Sequence, residues 1–519
     1  MNWSEHLPAL VIAIPLLGAF AAPLVSLGGK TLRNLLLIVV SFVTLAIAFL
    51  LWRSVLAHGT ILYVMGGESF SLTLPSGFTF PVRIMFEIDA LSAFMGLTVG
   101  IASFAGALFS LQYMRGFSGL HRFVSLYFLL TVGAMGMSLT GDMFNFFVFI
   151  EIASVASFGL IAFWRDKPEA IEASFKYMLL SQISAMLILI AVGSIYGKYN
   201  FLNMAAIANA VQMSTLDKLI LALLVAALAM KCGAFPMSMW MPDSYAESPS
   251  GVTCLLVTVS QVSLYGLMRV CFTLFGTVAQ SGFIPWIFIV LGLMSMFFGV
   301  TMAVIQHEIK RLIGYHSISQ VGYMLLAFGV GLAALHDPRA LADYGFTAIK
   351  GGLFHMVNYS MYKGLLFLAA GALYYATGTR DLNEMGGLAR RMPYTTVLFL
   401  IAAAAISGIP PFNGYVSKLL IYESVFTVHP LLSAVALVTS VLTLASFVKI
   451  FQTAFLGPEK NKWRSVREVP ASMVLGMMVF GVVIIGFSLF PSWTLSSLVE
   501  PAAKALIDQA GYISAVLHP

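Results

Sequence analysis

Apolar runs of bilayer length recur along the whole of this chain, and no other feature constrains its fold as strongly. Fourteen can be drawn, at 7–27, 31–53, 87–113, 122–140, 142–164, 171–195, 216–240, 250–275, 283–305, 309–333, 345–376, 394–426, 430–456 and 470–491. A helix of ~20 apolar residues crosses the hydrocarbon core, where every backbone polar group must find its partner internally. With 60% hydrophobic and 10% charged residues, the chain leaves little room for a soluble domain. The expected fold is an all-α polytopic membrane protein, one membrane domain over residues 1–519 with the lipid bilayer as its surroundings.

The charged residues fall where such a topology puts them. Loops after odd-numbered spans carry Lys30, Arg33, Arg115, Arg122, Arg165, Lys167, Lys310, Arg311, Arg380, Arg390, Arg391, Lys460, Lys462, Arg464 and Arg467. Loops after even-numbered spans carry only Arg53, Arg83, Lys198, Lys218 and Arg339. This bias puts the first set on the cytoplasmic side of the cell membrane and both termini outside. The net charge of +6 is accounted for by that topology and implies no nucleic acid. The first apolar run lacks a basic leader and has Lys30 and Arg33 after it, as a retained span does. Cys232, Cys254 and Cys271 sit in or beside apolar segments without metal-ligand spacing and read as small core residues. Residues 54–86 alternate like a surface loop or β-hairpin, 199–213 are too short and polar to span, and 494–519 form an amphipathic tail.

Against this background a few residues stand out. Glu151 lies near the middle of GDMFNFFVFIEIASVASFGLIAFW, residues 141–164. An ionised group at that depth costs at least ~2.5–3.5 kcal/mol unless it is paired or wetted. The midspan groups able to answer it are Lys231, Lys363 and Lys418, with His316 and His355. Two spans are interrupted beside these lysines. The seventh reads ALAMKCGAFPMSMWMPDSY, with Gly233 and Pro236 after Lys231; the twelfth reads AAAAISGIPPFNGYVSKLL, with Gly408, Pro410 and Pro411 ahead of Lys418. Proline removes a backbone donor and clashes with the preceding turn, and opened backbone in a membrane persists only where it is buried or lines water. The interruptions lie five spans apart. They occupy corresponding places if spans 4–8 (122–275) and 9–13 (283–456) are repeats, which with five helices each have inverted topology, the usual frame for midplane ion sites.

These stretches resemble the antiporter-like subunits shared by complex I, Mrp-type cation/proton antiporters and membrane-bound [NiFe] hydrogenases or related ferredoxin-coupled complexes. The likeness runs from about Ile88 to Lys449. It is carried by TGDMFNFFVFIE, ASFKYMLL, KCGAFPMSMWMPDSYAESPSGVT, IKRLIGYHSISQVGYMLL, LFHMVNYSMYKGLLFLAAGAL and GIPPFNGYVSK. The resemblance implies fourteen helices, paired inverted five-helix bundles with broken helices 7 and 12, and movement of H⁺ or Na⁺ along a polar midplane. It makes Glu151 the carboxylate of span five, Lys231 the lysine of span seven and Lys418 the terminal lysine of span twelve. Two positions depart from it. Gln261 stands where a central lysine of span eight is common, and Tyr359 where a second histidine is frequent. Glutamine relays hydrogen bonds but holds no proton as charge, so a path past it uses water.

Each residue also has a plainer reading. Glu151 and Lys231 could form a structural ion pair, though such a pair gives little net stability over an apolar replacement. Lys418 could snorkel, but it sits close to a helix break. His316 and His355 could be hydrogen-bonded core groups, although an imidazole passes protons readily near neutral pH. Lys363 lies two turns beyond His355 on one face. Lys176 can pair with Glu172, Lys310 and Arg311 read as topology anchors, and Asp243 and Glu247 as a solvated loop. A cofactor-bearing redox enzyme would need a nucleotide fingerprint or a cysteine cluster, and the chain is expected to bind no cofactor. A purely structural membrane-arm subunit has no use for midspan lysines. The expectation is an ion-translocating subunit (H⁺, and Na⁺ in exchange for it) of a multisubunit membrane complex, not catalytic on its own. It would work with other membrane subunits in a redox-driven complex of hydrogenase or NADH dehydrogenase type, with a stand-alone Mrp antiporter as the alternative.

Overall fold

The computed structural model describes residues 3–66, 71–73, 79–81, 84–212, 214–279 and 282–517. Among the described residues, eleven helices are long and apolar enough to cross a bilayer. They begin with Leu7–Leu27 and Lys30–His58 and end with Pro430–Leu456 and Ala471–Leu489. Three further apolar stretches are helical but differ in form. Phe346–Thr377 is continuous and carries His355 and Lys363. Thr215–Cys232 stops and resumes at Trp240–Glu247. Pro393–Ser407 stops and resumes at Asn413–Val428.

The third apolar run begins differently from its sequence reading. Met85–Ile88 is a β-strand, Asp89 caps the following helix by accepting from Ser92 N at 2.8 Å, and helix runs only from Ala90 to Tyr113. Glu87 therefore lies in a loop element rather than in a span. That strand pairs antiparallel with Ile61–Val64, and within the same loop Ser71–Thr73 pairs with Thr79–Pro81. Residues 67–70, 74–78 and 82–83 of the loop lie outside the described residues.

Burial sorts the helices into an inner and an outer set. Ser250–Leu274 is 100% buried within the chain and Ile309–Ala334 94%, whereas Leu7–Leu27 and Ala471–Leu489 are each 33% buried and turn Leu17, Phe20, Val482 and Leu489 outward. Helices enclosed in this way can carry polar side chains that lipid would not tolerate. The helices Ile284–Val304 and Ile309–Ala334 meet backbone to backbone. A Cβ on Gly299 would lie 2.5 Å from Ser319 N, and one on Gly322 2.5 Å from Gly292 O. Small residues drive such contacts where no water is expelled by association. After the last long helix the tail folds back. Glu500–Ile507 packs on Ala90–Tyr113, and Gln509–Leu517 reaches the short Met204–Ala210 helix.

Candidate functional site

Lys231 sits one residue from the end of its helix. The chain turns at Gly233, φ 82°, whose N–H closes onto the last turn. A helix C-terminus leaves carbonyls without partners, and here the Trp240 indole returns to donate to Met230 O at 3.2 Å. Phe235 N, in the interruption, donates to Ser295 Oγ at 3.0 Å. The Lys231 side chain is thereby free to reach sideways. Its Nζ donates to Ser154 Oγ at 2.6 Å and to Ser181 Oγ at 2.5 Å, and Ser181 in turn donates to Ser154 at 3.0 Å.

Glu151 is not directly paired with Lys231. Its Oε2 accepts from Gln182 Nε2 at 3.3 Å, and its Oε1 is buried without a partner. Glu151 precedes Ser154 by one helical turn and Gln182 follows Ser181, so the carboxylate–amide pair lies beside the ammonium–hydroxyl cluster. A cavity of about 20 Å³ lies against Lys231, Ser154, Tyr177, Ser260 and Ser263. That is room for one water with polar partners.

The second interruption is built from similar parts in a different order. Pro393–Ser407 ends at Gly408, φ 75°. Lys418 comes from the helix that follows, and its Nζ takes the free Ile406 carbonyl at 2.8 Å and Ser440 Oγ at 2.9 Å. Where an indole satisfies the broken end in the first case, an ammonium does so in the second, at the end where the helix dipole favours a cation. The ammonium also stands 5.0 Å above the Tyr323 ring. Pro410 and Pro411 lie in the turn between the two helices, as Pro236 does in the first interruption.

Between the two lysines the titratable residues fall into separate groups. His355 joins Ser417 through Nδ1 at 3.0 Å and Gln320 through Nε2 at 3.1 Å, while Tyr362 donates to Gln320 Oε1 at 3.3 Å. Ser417 precedes Lys418 in the chain, which ties His355 to that end. Lys363 donates to Ile313 O at 2.5 Å. His316 is fully buried with neither ring nitrogen hydrogen-bonded, and its ring lies 5.0 Å from that of Phe447. Gln261 is also fully buried. It donates only to Ser260 Oγ, at 3.3 Å, and its Oε1 has no partner. The Tyr359 hydroxyl, near Ser260 on the Lys231 side and Ser317 beside His316, is buried without a hydrogen-bond partner.

Several of these groups carried no mark in the sequence. Ser154, Ser181, Ser417 and Ser440 look like the other small residues of membrane helices. Gln320 could have been found, since it follows His316 by one turn in HSISQ. Lys310, read as a topology anchor, is buried and donates to Ser248 O at 2.6 Å. Asp243 and Glu247 do not belong to a solvated loop either. Asp243 pairs with Lys176 and Arg311, both at 2.9 Å, and Glu247 pairs with Arg380 at 2.8 Å. Lys176 does reach Glu172, at 2.7 Å. Glu172, Lys176, Asp243, Glu247 and Arg311 line a polar cavity of about 170 Å³ on the face opposite the termini.

Residues 140–443, more than half of the chain and spanning both interrupted helices, match the family described as NADH:quinone oxidoreductase/Mrp antiporter, TM. The chain belongs to that family. Residues 75–124 also match the family described as NADH-Ubiquinone oxidoreductase (complex I), chain 5 N-terminus. Over 444 residues the chain is 33% identical to a Na(+)/H(+) antiporter subunit of Alkalihalophilus pseudofirmus, covering 84% of this chain and 86% of that one. It is 31% identical to NADH-quinone oxidoreductase subunit N of Desulforudis audaxviator, covering 96% and 99%. Among solved structures it is similar to a chain of the membrane-bound sulfane sulfur reductase, an archaeal respiratory membrane complex, with a TM-score of 0.85, 28% identity and coverage of 98% and 99%. It is thus an antiporter-like membrane subunit of the Mrp and complex I type.

Proposed function

We propose that this subunit moves H⁺ across the cell membrane, alone or in exchange for Na⁺, as part of a larger membrane complex whose other subunits supply the driving force. The observation that carries the reading is the pair of buried lysines at two interrupted helices, each held by hydroxyls that can turn. In this reading the three helical stretches Thr215–Glu247, Phe346–Thr377 and Pro393–Val428 join the eleven long apolar helices to make fourteen spans. Spans 4–8 and 9–13 are inverted repeats, and the termini face outward by the distribution of Lys and Arg.

Protons enter from the polar cavity around Asp243 and Glu247 and meet Lys231 beside Glu151. They pass by water and Gln261 toward His316, then through Lys363 and His355 to Lys418, which releases them outward. The chain binds no cofactor and performs no redox step. A redox-driven complex and an Mrp-type antiporter both suit this path, and the subunits that copurify distinguish them. A large hydrogenase-like partner supports the first, and small membrane partners alone support the second.

The test is proton movement into inverted membrane vesicles containing the assembled complex. Lys231→Ala should reduce it at least ~10-fold and Lys418→Ala at least ~2-fold; normal rates in both would remove the proposal.

A further inference from the structure

On the face that carries the termini, a carboxylate is buried in a place where packing alone has no need of one. Glu87 projects from the strand Met85–Ile88 and is 2% exposed. Asn203 Nδ2 donates to its Oε1 at 2.5 Å, and the Tyr512 hydroxyl, from the C-terminal helix, donates to its Oε2. The Gly141 backbone presses so close that a Cβ there would overlap the carboxyl.

Two residues further on, Asp89 pairs with Arg269, which also donates to Ser92 Oγ at 3.0 Å and Tyr265 OH at 3.2 Å. Asp89 Oδ2 and Arg269 Nη1 remain buried without partners. On the paired strand Leu62 stands opposite Glu87, and the neighbouring Tyr63 is hydrogen-bonded to His6 at 3.2 Å. Asp142 follows Gly141 and is engaged in capping, accepting from Asn145 N at 2.8 Å. Burial pushes the Glu87 carboxyl up to about 8; the Tyr512 and Asn203 hydrogen bonds and the Arg269 charge oppose this, and Asp89 adds to it.

Two small spaces lie between Arg269, beside this carboxylate, and Lys231. The cavity beside Lys231 is lined also by Met137, and a second cavity of about 10 Å³ is lined by Met137, Thr140, Tyr265 and Arg269. The unbranched Met137 side chain lines both, and methionine changes rotamer at little cost. Each space is near the size of one water.

We propose that Glu87 is a second outward release station for protons, serving the Lys231 half of the chain and latched by Tyr512. This rests on the transport reading above. A proton leaves Lys231 Nζ to water in the first cavity, passes Met137 to water beside Arg269, and protonates the Glu87 carboxylate. When the C-terminal helix shifts and Tyr512 withdraws, outside water reaches the carboxyl and relieves the burial that holds the proton, which outweighs the lost hydrogen bond; the proton leaves to that water, and Lys231 is reprotonated from the opposite face.

The experiment uses the full chain in its own complex, in inverted vesicles, with proton movement followed by quenching of an acridine dye between pH 6.5 and 9. Glu87→Gln should reduce movement about twofold, leaving the Lys418 exit open, and alter its pH profile, while Glu87→Asp should retain most of it. Tyr512→Phe removes a hydrogen bond that favours the ionised carboxylate, so it should move the midpoint of the profile upward. Wild-type rate and profile in assembled Glu87→Gln would overturn the station. Should that variant fail to assemble, an unchanged profile in Tyr512→Phe would overturn it instead. Lys231→Ala and Lys418→Ala are measured alongside: loss of movement in them with no effect at Glu87 and Tyr512 removes only the station. Normal movement in both lysine variants removes the transport reading itself.

Discussion

Glu151 is hydrogen-bonded through one oxygen to an amide rather than paired with a lysine, and this changes what its replacement tests. Glu151→Gln keeps the shape and can still accept from Gln182, so the complex should assemble. The negative charge beside Lys231 is lost, and proton movement should fall at least ~10-fold. Blue-native gels and vesicle assays read the two effects separately, and normal movement would make the residue structural. Gln261→Leu removes the amide that the proposed path uses between Lys231 and His316, and the share of movement that leaves through Lys418 should fall to near background. Tyr359 matters for the same gap, because its hydroxyl faces serines on both sides. Tyr359→Phe should slow movement, whereas Tyr359→His, which restores the residue frequent in relatives, should not. The lysines and histidines were legible in the sequence because charge is rare in these spans. The serines that hold Lys231 were not, since their role is set by which of many hydroxyls the packing brings within reach.

At the scale of elements, both interruptions depend on a glycine in a left-handed conformation. Gly233 has φ 82° and Gly408 φ 75°. A Cβ at Gly408 would also meet Lys418 Cδ at 3.0 Å, and one at Gly233 would collide with Met241 Cε at 2.1 Å. A left-handed alanine costs ~1–2 kcal/mol. Gly408→Ala should therefore lower the melting temperature in detergent and displace the Lys418 stem, reducing proton movement more than stability. Gly233→Ala should lower the melting temperature comparably, because the Met241 methyl can move aside and the left-handed backbone sets the cost. Equal melting temperatures for both variants and wild type would count against this account. Gly, Pro and midspan Lys together made the breaks visible in the sequence. How each break is satisfied was not visible, because Trp240 and Lys418 reach back across turns whose shape only the fold defines. The start of span three was misread for a related reason: MFEID is apolar enough to extend a helix, but Ile61–Val64 recruits it as a strand.

Across the whole molecule, contacts between distant parts of the chain set properties that no local stretch announces. Glu87 and Tyr512 are 425 residues apart. The folded chain holds the Glu87 proton at about 8 against an ordinary 4.5, more tightly than the unfolded chain does. Its contribution to stability is therefore complete below about 4.5 and lost as pH rises through about 8. The melting temperature should fall over that window and fall less in Glu87→Gln. The complete enclosure of Ser250–Leu274 has a consequence for how the protein is made. This helix packs on Ala90–Tyr113, already synthesised when it emerges, and on Phe346–Thr377, which is still to come. Until the later helix arrives, Gln261 and its neighbours have no stable place among acyl chains. The newborn segment must wait, shielded at the site of insertion, for partners downstream. With Ser260→Cys, at a position beside Tyr359 of the later helix, a thiol probe should accordingly react in chains halted before Phe346 and be resisted in the full-length chain.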